Sequence, residues 1–99
     1  MTLGLSPADW QLIQKLAIVP IKQAGCQVWA FGSRVKGTHK KFSDLDLCFE
    51  RSTALRPGFL SDLRESLENS SLPVKIDLVD WSDMAVEYRD EIFSHRILL

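Results

Sequence analysis

Ninety-nine residues with 45% apolar and 25% charged side chains suffice for one domain around one core, and leave no room for a separate substrate domain. A net charge of −1 excludes the broad basic surface that an extended nucleic-acid partner requires. No apolar run approaches the ~20 residues that span a bilayer, and no basic-then-apolar leader is present, so a cytoplasmic protein with no membrane partner is expected.

Ser6-Pro7-Ala8-Asp9 has the form of a helix start, with Ser6 at the N-cap and Pro7 in the first turn. Trp10, Ile13, Leu16, Ala17, Ile21 and Ala24 follow at helical spacing; Pro20 should kink or split that helix, and Gly25 should stop it. The run 26–31 is a short strand ending at Gly32, with a helical turn over 33–36 and a polar loop over 37–41. A second strand is expected over 42–50, with Asp44, Asp46, Cys48 and Glu50 on one face and Leu45, Leu47 and Phe49 on the other. Pro57 opens a helix whose stripe is Leu60, Leu63 and Leu67. A third strand over 74–79 follows Pro73, and Ser82 should cap a last helix with the apolar stripe Met84, Ala85, Tyr88, Ile92 and Phe93, continued by Ile97. The expected fold is α/β (α+β): one domain over 1–99, with a small mixed sheet of three to four strands and helices packed on it. Cys26 and Cys48 fit no zinc spacing and sit in apolar runs, as reduced core thiols do.

Asp44 and Asp46 are two apart on one strand, so their carboxylates project from the same face. Such a pair repels itself unless a cation sits between, and Mg²⁺ takes one or two carboxylates together with phosphate and water oxygens. Two acids at this spacing alone also describe a solvated strand edge. Asp77 shifts the balance, because it interrupts the apolar run 74–79 and can face the same side from a neighbouring strand. Asp80 falls with Ile76 and Leu78 by alternation and is the poorer candidate. Three acids on two strands suit a two-metal site.

Ten residues separate Asp44 from a Gly32-Ser33 pair that ends the first strand. Glycine permits the sharp turn and close backbone approach, and the amides and hydroxyl at Ser33 suit phosphate. Arg34 and Lys36 can offset phosphate charge, or can be solvated loop cations. No Walker-type loop is present. His39 and His95 are expected at surface positions, and Trp10, Trp29 and Trp81 in the core or against a partner.

Taken together, Gly32-Ser33-Arg34, Ser43-Asp44-Leu45-Asp46-Leu47 and Ile76-Asp77-Leu78-Val79 resemble the nucleotidyltransferase superfamily of DNA polymerase β, and within it the minimal, antitoxin-type proteins paired with HEPN-domain partners. The resemblance covers nearly the whole chain. It implies a polymerase β-type fold, with Gly32 and Ser33 holding a triphosphate, Asp44 and Asp46 holding Mg²⁺, and Asp77 as the third carboxylate. It implies AMP transfer from ATP to a hydroxyl, a tyrosine of a HEPN ribonuclease toxin, within a hetero-oligomer. A non-catalytic antitoxin that acts by binding alone and a small-molecule adenylyltransferase are the alternatives. Many relatives read Gly-Ser-Arg-Ala-Arg-Gly; Lys36 here keeps the charge and gives up the bidentate fork.

Overall fold

The computed structural model describes residues 3–52 and 54–99. Helix α1 (Pro7–Ile13) starts where Ser6 Oγ accepts the Asp9 amide at 3.1 Å. It runs through a π-helical stretch, Gln14–Ile18, into α2 (Val19–Gln23). Pro20 is the physical cause: it offers no N–H, and its ring crowds the carbonyl four residues back. The chain widens by one residue so that the Val19 amide reaches Gln14 O. Pro20 therefore neither ends nor splits the rod but changes its pitch. Gly25, at φ +88°, then turns the chain into the sheet.

The sheet has four strands in the order β3-β2-β1-β4. Strand β1 (Cys26–Phe31) has the extent its apolar run implies, and it pairs antiparallel with β2 (Leu45–Arg51). A short helix, α3 (Ser33–Lys36), joins them. Strand β2 begins three residues later than expected. Lys40 to Ser43 form a turn instead, closed by Lys40 N–H to Ser43 Oγ at 2.8 Å and Ser43 N–H to Lys40 O at 3.1 Å. Asp44 thus lies just before the strand rather than in it.

Helix α4 (Phe59–Glu68) follows Gly58 and buries Leu63 and Leu67. Strand β3 (Ile76–Asp80) then lies parallel to β2. It is an edge strand, and Arg64 of α4 donates to Leu78 O at 3.1 Å. Ser82 does not cap the last helix. Asp80 accepts its amide at 3.0 Å and ties Trp81–Asp83 into a 3₁₀ turn. Helix α5 begins only at Val86 and ends at Phe93, with Ala85 at its N-cap. The stripe expected across 84–97 is therefore broken: Ile92 is buried, Tyr88 is 66% exposed, and Ile97 belongs to β4 (Ile97–Leu98), the other edge.

The two sheet faces differ. Leu45, Leu47, Phe49, Val28, Ala30 and Leu78 meet Ile13, Ala17, Ile21, Leu63 and Leu67 in the main core. On the other face Trp29, Cys48 and Ile92 form a smaller cluster, flanked by Phe31, Trp81 and Met84. Burial pushes the Cys48 thiol up to about 11, against the pull of Arg96, so both cysteines are free, buried thiols.

Candidate active site

The acidic face is set by strand register. Phe31 lies opposite Asp46, and Asp46 opposite Asp77. The alternate residues Leu45, Leu47 and Leu78 are all in the core, which turns Asp46 and Asp77 outward together on neighbouring strands. Asp44, one residue ahead of β2, is exposed at the open end of the same face. Partial burial pushes the Asp46 carboxyl above its usual range, and the charges of Asp77 and then Asp44 push it further. Asp46 therefore feels both of the other aspartates. Among the described residues they do not close into a metal cage, since no three His, Cys, Asp or Glu groups stand close enough to hold an ion alone. An incomplete carboxylate set fits Mg²⁺ that shares its coordination with phosphate and water.

The corner abuts these acids. Gly32 has φ +80° and ψ −158°, a region that only glycine enters without strain. A Cβ there would run into Asp46 Oδ2 and stand 3.1 Å from its Cγ. Glycine is thus required twice, by conformation and by contact with the carboxylate. Ser33 opens α3 directly after it, and Gly37, at φ +77°, closes that helix with its amide on Ser33 O.

The two cations of the motif part company. Arg34, expected among the nucleotide-binding residues, is only 3% exposed. Its guanidinium donates to Leu3 O (3.0 Å), Ser43 O (3.0 Å) and Lys41 O (3.1 Å). With its donors on those carbonyls, it locks the segment before α1 and the turn before Asp44 against α3. Three of its five N–H groups are thereby engaged on backbone carbonyls, two of them in the turn beside Asp44. Lys36 is half-exposed and pairs with Glu91 of α5 at 3.0 Å.

One residue of this corner gave no signal in the sequence. The Gly32 amide donates to His95 Nε2 at 2.9 Å, across 63 residues of chain. Asp80 stays out of the site: its carboxylate pairs with Arg51 at 3.1 Å. A groove of about 530 Å³ between α4 and β3 reaches the acids at Asp77, and Gly32 and Ser33 are partly buried outside it.

A glycine-serine corner pressed against paired aspartates of a mixed sheet is the arrangement of a nucleotidyltransferase, and the chain belongs to that family: the family model described as Polymerase beta, Nucleotidyltransferase matches residues 18–99. Among individual proteins, it is 45% identical over 65 residues to the probable protein adenylyltransferase MntA of Haemophilus influenzae, a match over 66% of this chain and 57% of that one. The chain thus spans little more than half the length of that relative. Two solved structures share the fold at 20% identity. One is a toxin–antitoxin with AMP-PNP (TM-score 0.66, over 86% of this chain and 70% of that chain). The other is a tri-AMPylated Shewanella oneidensis HEPN toxin in complex with MNT antitoxin (TM-score 0.60, over 92% and 68%). No helix of the described residues is long and apolar enough to cross a membrane.

Proposed function

We propose that the chain is a Mg²⁺-dependent protein adenylyltransferase, the antitoxin of a toxin–antitoxin pair in the cytoplasm, which moves AMP from ATP to a tyrosine hydroxyl of a HEPN ribonuclease toxin. The observation that carries this reading is the register of Asp46 on Asp77 with Gly32 against Asp46, which puts carboxylates and phosphate corner within one contact. Family membership and the likeness to MntA support the reaction class. The partner class rests on the company its structural relatives keep.

In this reading Asp44, Asp46 and Asp77 would hold Mg²⁺, and the bound ion would supply the positive charge that a triphosphate and its leaving pyrophosphate call for. Burial, and then the charges of Asp77 and Asp44, raise the Asp46 carboxyl, and a cation among the acids would offset the charge part of that cost. Gly32 and Ser33 hold the phosphates in line. Lys36 turns to them from a surface ion pair worth under ~1 kcal/mol, so little is lost when Glu91 lets go. The acceptor oxygen forms its bond to the α-phosphorus as the bond to pyrophosphate breaks, and Asp77, more exposed than Asp46, takes the hydroxyl proton. Positioning and charge supply the rate.

The test is label transfer. The chain, its HEPN partner, Mg²⁺ and α-labelled ATP should place label on the partner, and Asp46→Asn should reduce it by at least about a hundredfold. Toxin neutralisation that survives Asp46→Asn, with no label moved, overturns the reading in favour of an antitoxin that acts by binding alone.

A further inference from the structure

Gly32 poses a mechanical problem. A residue without Cβ moves easily between backbone basins, yet this one must stand still against Asp46. Something other than its own chain has to fix it. Its amide is directed at the ring of His95, with Nε2 at 2.9 Å. On the far side of the ring, Nδ1 stands 2.9 Å from Glu91 O, the carbonyl one turn back on α5. An amide can only donate and a carbonyl can only accept, so the tautomer follows: Nδ1 carries the proton, and Nε2 presents its lone pair to Gly32. The same turn of α5 reaches α3 a second time, through Glu91 and Lys36 at 3.0 Å. That second link is an exposed pair that Lys36 can leave, so the His95 contact is the one that holds Gly32.

We propose that His95 is a positioning residue for nucleotide binding: it holds the Gly32 amide, and so sets the distance between the Gly32-Ser33 corner and Asp46. The inference rests on the nucleotidyltransferase reading given above and adds to it a residue outside the motif. His95 touches neither phosphate nor acceptor. It acts through Gly32, and the property it needs is an acceptor atom at the Nε2 position.

Two substitutions separate acceptor from shape. His95→Phe keeps the flat ring and removes the acceptor; His95→Gln returns an acceptor oxygen at about the same reach. By calorimetry with Mg²⁺ and AMP-PNP, His95→Phe should bind about tenfold more weakly, the equivalent of one lost hydrogen bond, and His95→Gln should stay within about threefold of the parent. Equal affinity in all three proteins overturns the proposal. So does tighter binding by His95→Phe, which would make the ring a competitor for the amide. A second arm needs neither variant nor nucleotide. In the unsubstituted chain, nitrogen NMR should find His95 protonated at Nδ1 and bare at Nε2, and the Gly32 amide should exchange slowly. Rapid exchange of that amide overturns the proposal even if a variant fails to fold. A parent chain that keeps the amide protected and binds no Mg·AMP-PNP overturns the nucleotidyltransferase reading instead, and leaves the His95 contact standing as a purely structural one, which also overturns its role in binding.

Discussion

Two arginines near the Gly32–His95 contact are held in opposite ways. Arg34, behind the corner, spends its guanidinium on three carbonyls at 3.0–3.1 Å. Arg96, beside β4, lies against three rings, 3.7 Å from the centroid of Phe93, 4.2 Å from Trp29 and 5.2 Å from Trp81. Its Nη1 is buried with no hydrogen-bond partner among the described residues. The difference is one of purpose. A fork of N–H bonds fixes direction as well as distance, which the turn before Asp44 needs if its carboxylate is to stand near Asp46 and Asp77. A cation over rings fills space and gains attraction with little demand on angle, which suffices to close the small cluster of Trp29, Cys48 and Ile92.

Substituting both arginines by methionine puts that contrast to the test. Arg34→Met leaves three carbonyls without their charged donor and should cost about 3 kcal/mol or more in urea unfolding. That is a large part of the 5–15 kcal/mol that holds a typical domain together. A smaller effect, about 2 kcal/mol, is expected for Gly32→Ala, where strain at φ +80° adds to the collision with Asp46. Arg96→Met should fall within about 1 kcal/mol of the parent, since the lost attraction to the rings is offset by removing an unpaired N–H. If Arg96→Met is the costlier of the two arginine changes, the comparison is wrong. Lys36→Ala, which breaks an exposed pair, should alter stability by a few tenths of a kcal/mol while weakening nucleotide binding.

The last prediction concerns sign alone. The Asp46 carboxyl titrates higher in the folded chain than in the unfolded one. Its contribution is therefore fully present below the unfolded value and is lost as pH rises through the folded one. Without Mg²⁺, Asp46→Asn should flatten that acid-side decline and leave the chain more stable at neutral pH. An unchanged or steeper decline would mean that burial and its neighbours do not raise the Asp46 carboxyl.

Much of the fold was legible because local chemistry and tertiary structure agree. The run from Cys26 to Phe31 is bounded by glycines and is a strand to the residue. Ser6, Pro7 and Asp9 start α1 as capping chemistry requires. The alternation in 45–49 and 76–79 correctly turns Asp46 and Asp77 to one face, because the opposite face is committed to the core. What escaped notice depends on hydrogen-bond partners, near or far in sequence, that periodicity does not reveal. Arg34 reads as a solvated loop cation or a phosphate cation, and its burial among Leu3, Lys41 and Ser43 carries no sequence signal. Ser82 reads as a cap until Asp80, two residues earlier, takes its amide. His95 carries no local signal at all, since its meaning lies in an amide 63 positions upstream. Strand β4 is two residues long, too short for periodicity to register.

The contact between Arg64 and Leu78 O has a further consequence. An outermost strand offers its unpaired backbone as a template on which other chains can stack, the first step towards fibrils and precipitates. By placing a bulky cation on one of those outward carbonyls, α4 blunts the template from within the same molecule. An outermost strand without such a guard is prone to stacking, and this guard stands on the strand that also bears Asp77, where the surface cannot simply be walled over.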